Sequence, residues 1–154
     1  SLMTIEVKLK KLDHFEEGIT LPQYESLWAA GADIRACLGL GEQTIIKPGE
    51  RVLIPTGLAM EIPQGFEIQV RPRSGLSYKT GLMVVNSPGT IDSDYRGELK
   101  IILGNLGTKD ETIEHGDRVA QLLLAPVIQA RFIISDDLTV TKRGQGGFGS
   151  TGKN

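Results

Sequence analysis

Five short polar stretches, each beside a glycine or proline, hold the residues of this chain that could do chemistry. In "RPRSGLS", residues 71–77, two arginines flank a proline, and Ser74 and Gly75 open an expected helical turn with Ser74 as its N-cap. A guanidinium fork, a hydroxyl and free backbone N–H groups at a helix start are what a phosphate site uses, although a solvated capped turn uses the same residues. The stretch "NSPGTIDSDYRGELK", 86–100, reads as a hairpin with Asp92, Asp94, Tyr95 and Arg96 on and just past its turn. Carboxylates do not attract an anion, so Asp92 or Asp94 near a phosphate site implies a base for water or a group facing a cation; the alternative is an Asx-rich surface hairpin. In "AGADIRA", 30–36, Asp33 sits between apolar neighbours, as a functional carboxylate or as a turn residue accepting backbone N–H groups. In "HGDRVAQ", 115–121, Arg118 and Gln121 enter an apolar run, where the amide needs a partner, by default the backbone. The ending "RGQGGFGSTGKN", 143–154, has the composition of a disordered tail except for Phe148 between two glycines.

Other chemistries lack their residues. The sequence has no H-E-x-x-H, G-x-S-x-G or G-x-x-x-x-G-K-[ST] pattern, and its single cysteine, Cys37, excludes a P-C-x-x-C zinc site and an intrachain disulfide. His14 and His115 stand far apart in sequence, outside any triad context.

The elements that must position these groups are short strands. Ile5, Val7 and Leu9 alternate in "TIEVKLK", as do Phe66, Ile68 and Val70 in "FEIQVRP". "ELKIIL" and "RVAQLLLAPV" are continuously apolar, as in strands covered on both faces, although periodicity leaves a buried helix open for the second. Turn signals recur at "KPGE", "IPQG", "NSPGT", "LGNLGTKD" and "EHGD", which predicts an all-β barrel or sandwich. Helix is expected only as a turn or two from Ser74 and in "YESLWAAG". The 154 residues fit one domain, and a net charge of −2 argues against duplex DNA or an acidic membrane as partner. With one cysteine, no basic and apolar leader and no apolar run of about 20 residues, a cytoplasmic location is expected. Ser1-Leu2 ahead of Met3 reads as a cloning remnant, leaving a β domain over 3–142 and an arm over 143–154.

Taken in order, the five stretches resemble the five motifs of the trimeric dUTP pyrophosphatases, or dUTPases, across residues 30–152. The resemblance implies a jelly-roll-like β subunit, a homotrimer with active sites at subunit interfaces, and Mg²⁺-dependent hydrolysis of dUTP to dUMP and pyrophosphate. That reaction limits uracil incorporation into DNA and supplies dUMP for dTMP synthesis. Carried over motif by motif, it implies that Asn86 and the backbone of Gly89, Thr90, Ile91 and Asp92 receive uracil. Tyr95 would exclude a 2′-hydroxyl, and Lys100 would contact substrate. Asp92 is the implied general base for water attacking the α-phosphorus, and Asp33 the residue that holds the water shell of Mg²⁺. Arg73, Ser74, Gly75, Gln121 and Arg143 would align the triphosphate, while in a closing lid Phe148 stacks over uracil and Ser150 and Thr151, next to Gly149, reach the phosphates. The related dCTP deaminases are disfavoured by "RSG" without a second serine and by "GTID" in the hairpin.

Overall fold

Short apolar-polar alternations become ten strands and one short helix in the computed structural model, which describes residues 2–149. In chain order these are β1 (Lys8–Lys11), β2 (Ala32–Arg35), β3 (Gln43–Ile46), β4 (Arg51–Glu61), β5 (Phe66–Arg71), α1 (Ser74–Lys79), β6 (Leu82–Val84), β7 (Gly89–Ile91), β8 (Glu98–Asn105), β9 (Glu111–Glu114) and β10 (Arg118–Pro126). One sheet has the order β1-β4-β8-β6 and a second β2-β10-β5-β7, with β3 and β9 forming a separate pair. Every pairing is antiparallel. Ile54, Ile101 and Leu103 of the first sheet join Ile34, Val70 and Leu122 of the second in one core. Burying each such aliphatic side chain stabilises the fold by about 1.5–3 kcal/mol.

The all-β reading therefore holds, with local differences. "RVAQLLLAPV" is a strand, laddered on one side to β2 and on the other to β5, so its continuous apolar run is that of a strand flanked by two others. The ladder of β1 begins only at Lys8, yet Ile5, Val7 and Leu9 still share a face, lining a small cavity with Ala32, Met60 and Leu122.

Three expectations are corrected. "YESLWAAG" forms no helix: Leu27 and Trp28 stand exposed with no surface to bury against, and packing of an apolar face supplies most helix stability. Ser74 is the first helical residue rather than the N-cap, which falls on extended Arg73 and makes no side-chain capping bond. The segment 86–100 is not a laddered hairpin. Strand β7 pairs with β5 through Ile68–Ile91 and Val70–Gly89, whereas β8 pairs with β4 and β6. Gly89 and Ile91 bury against one sheet and Leu99, Ile101 and Leu103 within the other, so residues 92–97 cross between them.

Strand β4 holds the sharpest irregularity. Its ladder to β8 runs from Arg51–Gly104 to Pro55–Lys100 and resumes at Ala59–Glu98, so that Thr56, Gly57 and Leu58 face only Leu99. Thr56 Oγ1 bridges the break by donating to the Leu99 carbonyl at 2.6 Å and accepting the Leu58 N–H at 3.3 Å. Gly57 adopts φ +72°, and a Cβ there would lie 3.0 Å from Phe15 Cα. Past β10 the chain forms no regular element among the described residues, and Ile128, Phe132, Ile134 and Val140 project into the open. Among the described residues no helix is long and apolar enough to cross a membrane.

Gly57→Ala should lower stability by about 2 kcal/mol or more, through left-handed backbone strain and contact with Phe15. Urea unfolding at fixed chain concentration measures it, and an unshifted midpoint would mean that the irregular strand accepts a side chain.

Candidate active site

Strand β7 lies at the edge of its sheet, with only β5 as a ladder neighbour. Its backbone groups on the far side are left free for another partner, as at any sheet edge. Beside it opens a cavity of about 400 Å³ lined by Asn86, Gly89, Thr90, Ile91, Asp92, Tyr95 and Lys100, together with Leu53, Val70, Glu98 and Leu99. Seven residues singled out from the sequence thus meet in one place. Gly89 keeps the space tight there: a Cβ would come within 3.1 Å of both Asn86 Nδ2 and Val70 Cβ, so any side chain would press on the cavity wall. Tyr95 crosses above Gly97, where a Cβ would collide with the phenol oxygen, and its hydroxyl donates to the Glu98 carbonyl at 2.9 Å. Of the two aspartates in the crossing segment, Asp92 lines this cavity; Asp94 lies in a separate hollow with Glu61, Ser93 and Arg96.

Positive charge gathers elsewhere in the chain. Asp33, on β2, accepts Arg73 Nε at 3.1 Å on Oδ1 and Arg118 Nη1 at 3.5 Å on Oδ2. Its side chain is 12% exposed, so this carboxylate orients both guanidinium groups. Gln121 stands opposite Asp33 in the ladder and donates to the Pro72 carbonyl at 2.9 Å. The backbone partner expected by default for Gln121 is therefore the one it has, and Gly31 makes room for it: a Cβ there would collide with Oε1. Ser74 and Gly75 open α1 beside Arg73, where the first N–H groups of a helix lack intrahelical acceptors. Arg71 diverges, folding back onto Gln69 Oε1.

Arg73 and Arg118 line a cavity of their own with Thr80, Glu111 and Asp117. Arg143 and Phe148 join neither group: Arg143 Nε donates to the Gly146 carbonyl, and Phe148 is fully exposed at φ +50°. Gly149 follows at φ +79°, while Ser150 and Thr151 lie outside the described residues.

Two site features escaped sequence reasoning. Leu53 and Val70 reach the cavity wall from β4 and β5 and carry no motif signal. Glu98 pairs with His14 across 84 residues, its Oε2 lying 2.8 Å from His14 Nε2 and accepting the Gly57 N–H at 3.0 Å. Burial alone would raise the Glu98 pKa, but the His14 hydrogen bond, the Gly57 N–H and the charges of His14 and Lys100 outweigh it and hold the carboxyl below its ordinary value of 4.5. His115 has a structural part, its Nδ1 accepting the N–H groups of Leu38 and Gly39.

The family model described as dUTPase matches residues 17–152. The deoxyuridine 5'-triphosphate nucleotidohydrolase of Bdellovibrio bacteriovorus is 56% identical over 152 residues, 99% of each chain. That of Desulfotalea psychrophila is 60% identical over 136 residues, covering 88% of this chain and 89% of the relative. The solved structure of the Staphylococcus bacteriophage 80alpha dUTPase with dUPNHPP superposes with a TM-score of 0.79 at 28% identity, covering 97% of this chain and 99% of the phage protein.

A carboxyl with a depressed native pKa is protonated more readily in the unfolded chain. Its contribution to stability is complete above about pH 4.5 and disappears as pH falls through the native value. Glu98→Gln should therefore flatten the acid limb of a stability–pH curve below about pH 4.5; an acid limb identical to that of the parent chain would contradict the depressed carboxyl.

Proposed function

The chain belongs to the dUTPase family and is a dUTP nucleotidohydrolase, and from that premise we propose how its residues divide the work. The reading rests on one observation above the others: an edge strand with free backbone groups lines a cavity that also holds Asn86, Asp92 and Tyr95. Uracil enters there. The N–H and C=O groups of Gly89 to Asp92, with the Asn86 amide, meet the polar edge of the base as an adjoining strand would. A cytosine presents the opposite donor pattern at its exocyclic position and leaves buried groups unpaired, which discriminates strongly. Tyr95 walls the pentose, and Lys100 adds a cation at the cavity rim.

Asp92 takes a proton from a water that attacks the α-phosphorus. The new P–O bond forms as the bond from the α-phosphorus to the bridging oxygen breaks, and pyrophosphate departs with that electron pair. Arg73, Gln121 and the N–H groups at the start of α1 hold the phosphates. Arg143 and the Phe148–Thr151 segment close over the nucleotide as a lid, excluding water that is not in line.

The donor set suits Mg²⁺ of one kind. Asp33 is the carboxylate in contact with Arg73, and no group of three His, Cys, Asp or Glu side chains gathers to cage an ion among the described residues. A hard cation that keeps its waters and takes phosphate oxygens as further ligands fits such a single carboxylate. Asp33 would hold its water shell, and the ion would supply charge neutralisation on the phosphates.

The uracil cavity and the Asp33–Arg73 cluster lie in separate hollows, and the arm touches neither through the hydrogen bonds described above. These facts favour a homotrimer in which different copies contribute the parts of each site. Exposed apolar groups on β4, just past β6 and in the segment between β10 and the arm, among them Leu53, Val85, Ile128 and Ile134, supply surface for such contacts. The proposed organisation is a β domain over 3–142 with a lid arm over 143–154, acting in the cytoplasm.

Asp92→Asn should keep dUTP affinity while pyrophosphate release falls by about 10²–10⁴-fold; undiminished turnover would remove Asp92 as the base. A chain ending at Lys142 should retain its size in solution but lose most turnover, whereas full activity would reduce the arm to an idle tail.

A further inference from the structure

The register break in β4 leaves Gly57 without a rung on β8, and a side chain supplies the missing acceptor. Glu98 Oε2 receives the Gly57 N–H at 3.0 Å and the His14 ring nitrogen at 2.8 Å. The Glu98 side chain is 14% exposed, so this is a partly desolvated, charge-assisted contact rather than a surface pair. His14 is itself held from behind. The buried Cys37 thiol donates to its carbonyl at 3.3 Å, and nearby Leu12 donates its N–H to the Gly57 carbonyl at 2.9 Å. The loop carrying His14 and the irregular turn of β4 are thus laced together, and Glu98 sits at the knot.

The main-chain carbonyl of Glu98 accepts the Tyr95 hydroxyl. Tyr95 is about half exposed, and its backbone is held by its N–H donating to the Asp92 carbonyl at 3.1 Å and by its carbonyl accepting from Nη1 of the exposed neighbour Arg96 at 3.2 Å. A ring so placed would swing unless its far end were fixed. Telling hydrogen from hydroxyl at the 2′ carbon requires a wall whose position is defined to a fraction of an ångström. The ring is fastened to the Glu98 carbonyl, on a residue that the ladder to Ala59 holds through its main chain and that Gly57 and His14 hold through its carboxylate.

We propose that Glu98 and His14 are positioning residues for pentose discrimination, Glu98 from the cavity wall and His14 from behind it, together holding Tyr95 against the sugar. This rests on the reading of Tyr95 as the pentose wall. The test measures kcat/KM for dUTP and UTP on the full chain and takes their ratio as readout. Tyr95→Ala should collapse the ratio. Glu98→Ala should lower it by about five-fold or more, the worth of one well-placed hydrogen bond, and His14→Ala by a smaller factor. Glu98→Gln keeps an oxygen acceptor for Gly57 and should restore most of the ratio. Tyr95→Phe should lower it too, and combining Tyr95→Phe with Glu98→Ala should add little, because both changes cut the same link.

If Tyr95→Ala leaves the ratio unchanged, the pentose wall itself is wrong. If Tyr95→Ala relaxes the ratio while Glu98→Ala and His14→Ala do not, the wall stands and the present inference falls. Equal losses on both substrates, with the ratio intact, would mark Glu98 as structural only and also overturn it. Should Glu98→Ala fail to fold, His14→Ala decides, and an unchanged ratio there is contrary to the proposal.

Discussion

Strands β4 and β8 pair in register until Pro55 meets Lys100, then lose step around Gly57 before pairing again at Ala59 and Glu98. The regular part buries Ile54, Ile101 and Leu103 completely and supplies the centre of the core. The irregular part aims Thr56 at the Leu99 carbonyl and Gly57 at the Glu98 carboxylate. Because Glu98 and Leu99 both line the cavity beside β7, the same ladder that holds the fold together sets one wall of the candidate site. Strained or irregular backbone persists where surrounding contacts over-determine it, and here buried groups on both strands do so.

A second constraint is electrostatic. A chain of net charge −2 has to receive a polyanion, so its positive charge must be concentrated and aimed. Asp33 does the aiming. By accepting from Arg73 and Arg118 it spends a negative charge to fix two positive ones, and Gln121 ties the start of α1 to the same ladder through Pro72. In the proposed reading, preorganised donors of this kind need no rearrangement as charge develops on the phosphates, and positioning with electrostatics is the main source of catalysis in phosphoryl transfer.

The legible parts of the molecule were the local ones. Alternation in "FEIQVRP" identified Ile68 and Val70 as core, and the cavity from Asn86 to Lys100 is one continuous segment, so a motif captures its polar members together. What depended on distant pairing was not legible. The same segment looked like a hairpin because its turn residues are hairpin residues, yet its two strands pair into different sheets, which only the burial of Ile91 and Leu99 against distant partners decides. His14 gave no signal for its contact with Glu98 across 84 residues. "YESLWAAG" has a helical pattern, but Leu27 and Trp28 find nothing to pack on within the chain.

Substrate choice tests most directly whether the cavity reads uracil on a deoxyribose, as proposed. Pyrophosphate release by the full chain with Mg²⁺ should be measured for dUTP, UTP, dCTP and dTTP at equal concentration. The arrangement predicts turnover of dUTP and rates lower by about 10²-fold or more for the other three, since each either crowds the cavity or leaves its polar groups unmatched. Comparable release from dCTP or dTTP would contradict a uracil-reading cavity.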